Sequence, residues 1–304
     1  MNPQAERAAP RVSIGLPVYN GENYVEEALQ SLLTQTYEDL EVIISDNAST
    51  DRTEEICRRV AACDPRVRYV RNERNLGPAR NYNNAFLLSR GELFKWAAHD
   101  DTYAPEYLRK CVEVLESDPG VVLCHCRTQY IDKDARVIGA YDGRLRSDSP
   151  ETHVRFGDLI MNVKCFEIFG VIRSSALRQT PLHGSFGHAD GILLARLGLM
   201  GRFHEIPEYL FFNRDHPDKS IYKYSTFRDY AIFYDPRNRG RILLPRWRMA
   251  YEYVAAVRSV PLTRGTRVRC YLRLGRWVRT HWQSLCWNLI VALWDMMSRP
   301  FQKH

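Results

Sequence analysis

No glycine-rich phosphate loop occurs in the 304-residue chain: Gly-x-x-x-x-Gly-Lys-Ser/Thr is missing, and no Gly-x-Gly-x-x-Gly follows a strand-like run. Cradling of nucleotide phosphates by such a loop is thereby excluded. Internal repeats and low-complexity tracts are missing too, and 45% hydrophobic with 26% charged residues excludes a mainly disordered chain. The opening "MNPQAERAAPR" has no apolar stretch, so no secretory signal is expected and residues 1–10 read as a flexible lead-in. Eight cysteines follow no tight spacing, which suits a reducing cytoplasm better than a disulfide scaffold. "VVLCHCRT" sets Cys124 and Cys126 around His125, but structural zinc sites want longer spacers and a second ligand pair. That segment reads as a buried strand in which cysteine behaves as a small hydrophobe.

What is present begins with an alternation. "RVSIGLPVYN", "EVIISDNAST", "RVRYVRNERN" and "ELFKWAAHDD" are strand-like. Between them, "YVEEALQSLLTQ" and "DRTEEICRRVAACD" have helical spacing, and "GPARNYNNAFLLSR" is a third helix entered at Pro78. Strands alternating with helices of about a dozen residues predict an α/β fold: a Rossmann-like, mostly parallel sheet with helices on both faces. In such sheets ligands bind beyond the carboxyl ends of the strands. Three of these four ends are polar: Tyr19 and Asn20, Asp46 and Asn47, Asp100 and Asp101. Acids converging on one sheet edge repel unless a cation is shared.

The stretch "VSIGLPVYNGENYVEEALQSLLTQTYEDLEVIISDNASTD", followed by "NLGPARNYN" and "HDD", resembles the family 2 glycosyltransferases of GT-A fold. The resemblance is strong over about residues 11–110 and fair to about 220. It implies a GT-A domain over 11–220, with a nucleotide half at 11–110 and an acceptor half at 111–220. It also implies an inverting enzyme that moves a sugar from a nucleotide-diphosphate sugar, a UDP-sugar first, to a hydroxyl of a glycan or lipid-linked acceptor. A divalent Mn²⁺ or Mg²⁺ would assist the displacement.

Residue by residue, the resemblance sets Pro17 and Tyr19 at the nucleotide, Tyr19 stacking on the base; the bland alternative is an ordinary strand-end tyrosine. Asp46 would accept a hydrogen bond from the base, or form an Asx turn, or both. Arg80 in "GPARN" would lie near the nucleotide or pair with surface acids. Asp100 would bond the ribose or help the metal, and Asp101 would hold the metal against the two phosphates. Many members carry a further acid two residues before the pair, where this chain has Ala98; that leaves open how much of the metal shell is protein. Asp190 in "GSFGHADGILLARLGLMG" would be the general base, the helix N-cap being its alternative. The family's common Glu-Asp is Ala189-Asp190 here. In the polar loop after "PEYLFF", His216 would complete the metal shell, and Arg214 and Lys219 would reach the pyrophosphate, unless the loop is a solvated connector. Acceptor recognition would fall to residues 140–187.

The rest of the chain differs in kind. Residues 237–304 hold fourteen Lys and Arg against Glu252 and Asp295, a net of +12, so residues 1–236 carry −5 of the overall +7. They also hold five of the six tryptophans: Trp247, Trp277, Trp282, Trp287 and Trp294. Residues 221–304 therefore read as a basic, tryptophan-rich helical appendage. Its apolar segment "SLCWNLIVALW" falls short of the roughly 20 residues of a spanning helix. Two accounts fit: contact with an anionic membrane surface through 241–299, on the cytoplasmic face, or packing on the catalytic body or a second copy. Self-association into a homo-oligomer stays open. Nucleic acid is not an expected partner, because three acidic strand ends would repel its backbone. The rival functions are an inactive homologue serving as a scaffold, a basic nucleic-acid binder and a nucleotidyltransferase.

Overall fold

The computed structural model describes residues 9–298 apart from Ser225; the lead-in at 1–8 and the residues from 299 onward lie outside the described residues. The chain runs β1 Val12–Val18, α1 Val25–Leu33, β2 Leu40–Asp46, α2 Thr53–Cys63, β3 Val67–Arg71, α3 Pro78–Leu87, β4 Leu93–Trp96, β5 Thr102–Tyr103 and α4 Tyr107–Ser117. It continues β6 Val121–Ile131, β7 Val137–Ala140, α5 Thr152–Asn162, β8 Val171–Arg173, α6 Ser174–Leu177, α7 Ala189–Met200, β9 Arg202–Arg214, α8 Ser220–Lys223, α9 Phe227–Tyr234, α10 Pro245–Ser259 and α11 Arg264–Ser298.

Among the described residues, nine strands join one sheet, ordered β3-β2-β1-β4-β8-β6-β9-β5, with β7 paired to β6. Every residue of β1 and β2 is buried, the polar Ser13, Glu41, Ser45 and Asp46 included, as inner strands of a parallel sheet covered on both faces should be. Strands β1 to β4 pair in parallel, and most of the ladder is parallel. Strand β8 runs antiparallel to both β4 and β6, which restores β6 and its parallel partner β9 to the direction of β4. The carboxyl end of β9 therefore lies on the same edge as those of β1, β2 and β4.

One core lies where α1, α2 and α4 cover the sheet, with Val25, Leu29, Leu32, Ile56, Leu108 and Leu115 inside. The other holds Phe86, Phe94 and Trp96 with α5, α7, α10 and α11. Trp277 is 1% exposed there, so α10 and α11 as far as Leu285 share this core with α5 and α7 rather than building their own. Cys124 and Cys126 are buried in β6, as the strand reading expects. Helix α3 starts from Gly77 at φ 82°, where a Cβ would stand 2.7 Å from the Tyr234 carbonyl oxygen. Glycine fits both the left-handed backbone and the close approach of α9. Among the described residues, no helix is long and apolar enough to cross a membrane.

Candidate active site

The apolar run of β4 ends at Trp96, and four and five residues later Asp100 and Asp101 meet the end of β9. Asp101 is 1% exposed. Its Oδ1 accepts from Asn213 Nδ2 at 3.0 Å and from the Arg214 backbone N–H at 2.9 Å, and its Oδ2 accepts from Asn213 Nδ2 at 3.1 Å. Asp100 Oδ2 lies 2.9 Å from His216 Nε2, and its carbonyl accepts from Arg214 Nε at 2.9 Å. Burial, and then the charge of Asp100, push the Asp101 carboxyl up to about 7. Burial acts upward on Asp100 too, but the charge of His99, the His216 bond and Lys219 outweigh it and hold Asp100 at about 2. Two close buried carboxyls resist ionising together, and their titrations are pushed apart.

Arg214 is the last residue of β9 and fully buried, which corrects the expectation that it lies in a loop. Its Nη1 donates to the Asp132 and Lys133 carbonyls at 3.1 Å each, and its Nη2 pairs with Glu27 at 2.6 Å. With its guanidinium turned inward, it braces the acid pair through the Asp100 carbonyl. Lys219 remains at the surface of the site, its Nζ donating to Asn213 Oδ1 at 2.7 Å. His216, expected as a metal ligand, spends Nε2 on Asp100 and packs 4.9 Å from the Tyr24 ring, so it orients the acid. Its buried Nδ1 has no hydrogen-bond partner among the described residues.

Pro17 is buried within β1 opposite Ser45, and Tyr19 just beyond it is 44% exposed, open for stacking. Asp46 is fully enclosed. Its Oδ2 accepts from Tyr69 at 2.6 Å and Arg71 at 2.8 Å, and its Oδ1 from the Ser49 N–H at 2.9 Å and hydroxyl at 2.6 Å. Four donors fill the acceptor capacity of a carboxylate; the turn-forming alternative is the one observed. Arg80 is half-buried in the first turn of α3 and joins no ion pair among the described residues.

Asp190 is the second residue of α7, behind a left-handed His188 at φ 65°, and makes no capping bond, so the N-cap alternative falls. Its Oδ1 is 2.9 Å from His183 Nδ1, and its Oδ2 accepts from the Tyr234 hydroxyl at 3.4 Å. Burial pushes this carboxyl up, but the His183 bond and charge, with His188 and Tyr234, bring it below the ordinary value. His183 is wedged 4.7 Å from the Trp96 ring and 5.2 Å from that of Tyr82. Its buried Nε2 has no hydrogen-bond partner among the described residues. Tyr82 packs 6.4 Å from the Trp96 ring as well as against His183, and its hydroxyl is raised first by burial and then by the charges of Asp190, Asp100 and Asp101.

Residues 13–183, more than half of the chain, match the sequence profile of Glycosyl transferase family 2. The chain belongs to glycosyl transferase family 2. An uncharacterized glycosyltransferase of Rickettsia typhi is 36% identical over 43% of this chain and 40% of its own length. The GalNAc(5)-diNAcBac-PP-undecaprenol beta-1,3-glucosyltransferase of Campylobacter jejuni is 25% identical over 74% of this chain and 65% of its own. The chain thus spans about two fifths of the Rickettsia relative and about two thirds of the Campylobacter one. Among solved structures, S. aureus TarS 1–349 in complex with UDP aligns at TM-score 0.65 and 16% identity, covering 90% of this chain and 72% of that one. Mannosyltransferase PcManGT from Pyrobaculum calidifontis, in complex with GDP-Man and Mn²⁺, aligns at 0.51 and 18%, covering 98% and 89%. Both likenesses show the GT-A type fold.

Within this family 2 chain, sequence reasoning missed His183, Asn213 and an amide network. Asn81 Oδ1 accepts from Ser45 Oγ at 2.7 Å and Asn72 Nδ2 at 2.9 Å, while its Nδ2 donates to the Ser45 carbonyl at 2.7 Å. That clamps the ends of β2 and β3 to α3. The run of amides in "PARNYNNAF" was the available signal, since a helix has little use for so many.

Proposed function

We propose that this chain transfers a sugar from a nucleotide-diphosphate sugar, a UDP-sugar first, to an acceptor hydroxyl by direct displacement with inversion. The observation that carries the reading is the Asp100–Asp101 pair just beyond β4 together with Asp190, which is bonded to a His183 that packs 4.7 Å from Trp96, the last residue of that strand. Asp190 takes the acceptor's proton as its oxygen bonds to the anomeric carbon; the bond from that carbon to the diphosphate breaks, and the electron pair leaves with the nucleoside diphosphate. Tyr19 stacks on the base. Lys219 contributes positive charge toward the diphosphate.

The acids fit a divalent cation in a limited way. Asp101 is raised first by burial and then by its neighbour's charge, and a cation would remove the second cost. Most of its lone pairs are already engaged, and no group of three His, Cys, Asp or Glu side chains among the described residues is arranged to hold a metal. Asp100 and Asp101 would therefore hold Mn²⁺ or Mg²⁺ together with phosphates and water. When bound, the ion would neutralise the departing diphosphate. The Mn²⁺ of the Pyrobaculum structure supports this; UDP in TarS supports a uridine donor, and GDP-Man in the Pyrobaculum structure a guanosine one. The lipid-linked substrate named for the Campylobacter relative supports a lipid-linked acceptor. A cavity of about 270 Å³ lined by Arg127, Tyr141, Asp142, Arg144, Glu205 and Tyr209 offers acceptor sugars both aromatic and charged contacts.

Calorimetric titration with UDP, GDP, TDP and CDP, each with Mn²⁺ and with chelator, tests the reading. Binding of UDP that requires Mn²⁺ is expected. Silence from all four nucleotides in both conditions would leave an inactive scaffold.

A further inference from the structure

We infer that the last turns of α11 dock on an anionic phospholipid bilayer. The inference is independent of the sugar-transfer reading. Helix α11 packs on α5 and α10 through one seam: Cys270, Leu274, Trp277, Leu285 and Ala292 are buried. Away from that seam the surface from 282 onward is apolar and open, with Trp282, Trp287, Leu289, Ile290, Leu293 and Met297 all exposed. At ~100° per residue these six side chains fan over roughly 180° of the helix circumference. A partner helix covers a stripe about 100° wide, so a second copy packed helix to helix would leave much of this surface wet, whereas a half-immersed helix buries it.

Charge decides the kind of surface. Arg264, Arg269, Arg276 and Arg279 are exposed in the turns just before the apolar segment. Basic residues beside tryptophans match headgroups that carry negative charge, with the indoles at headgroup depth. On α10, Trp247 adds a further half-exposed indole, its Nε1 donating to the Leu285 carbonyl at 3.1 Å. Residues 282–297 extend ~24 Å at ~1.5 Å per residue, less than the ~30 Å hydrocarbon core. The segment therefore seats in the interface of one leaflet.

Co-sedimentation of the full chain with phosphatidylcholine vesicles, with and without phosphatidylglycerol, tests this, alongside sedimentation velocity without lipid. Binding to the phosphatidylglycerol vesicles should exceed that to phosphatidylcholine by about tenfold and weaken with salt. Ile290→Asp with Leu293→Asp should cut it about tenfold or more. Arg276→Glu with Arg279→Glu should remove the preference for anionic lipid, and both double variants should keep the wild-type melting transition. Equal binding to both vesicles, or to neither, overturns the inference. So does a dimer in lipid-free solution that Ile290→Asp with Leu293→Asp splits.

Discussion

Asp100 with His216 and Asp190 with His183 are the same two side-chain types at the same 2.9 Å, yet they keep different electrical company. Beside the first pair stands Asp101, driven up to about 7 by burial and by Asp100's charge, so that region holds two carboxyls that do not ionise freely together. Beside the second stand His188 and Tyr234, which finish what His183 begins and leave Asp190 below its ordinary value despite burial. An unbalanced pair is suited to attract a cation and the diphosphate it accompanies. A balanced one stays ionised in a partly dry site and can receive a proton. In the proposed mechanism the two regions therefore do separate work.

The largest effects should come from breaking each region alone. Asp190→Asn should lower kcat by about 10³-fold, in the range of a lost general base, and leave Mn²⁺-dependent nucleotide binding intact. Asp101→Asn should abolish that binding as well as transfer, and chelator should reproduce its effect on the wild-type protein but change nothing further in the variant. Titration calorimetry and initial rates on both variants decide the matter; equal loss of binding in the two would erase the distinction drawn here.

How much of this was legible beforehand follows from what sequence encodes locally. The edge of the sheet could be read because apolar runs stop on polar residues at Tyr19, Asp46 and Asp100. The saturation of Asp46 could not, since Tyr69 and Arg71 reach it from the neighbouring strand. Strand β9 outruns its apolar stretch because Arg214 is held by the backbone of Asp100, Asp132 and Lys133, all distant in sequence. His183 lies seven residues before Asp190 in a stretch rich in glycine, where no periodicity signals that they touch. In α11 the exposed aromatics were visible as composition, but which third of the helix would pack and which would stay open depended on α5 and α10.

A smaller change should sharpen the account of the second region. His183→Gln removes the hydrogen bond and charge that hold the Asp190 carboxyl down, while the burial that pushes it up remains. Its pKa therefore rises, and the acid limb of kcat/KM should move to higher pH. Above that limb the rate should fall by about tenfold from lost orientation of the base, with nucleotide affinity unchanged. A profile that keeps its wild-type acid limb would mean that His183 only fills space between Trp96 and Tyr82.

The mildest test belongs to the first region. Tyr19 is exposed at the end of β1, so Tyr19→Ala leaves no cavity and should not alter the melting transition. A lost base stack is worth about 1–3 kcal/mol, so UDP affinity should drop by roughly five- to a hundredfold in calorimetry, and Tyr19→Phe should restore it because the ring face is what binds. Recovery only with tyrosine would assign the contact to the hydroxyl, and the donor edge would then read its nucleotide by hydrogen bonding at this position.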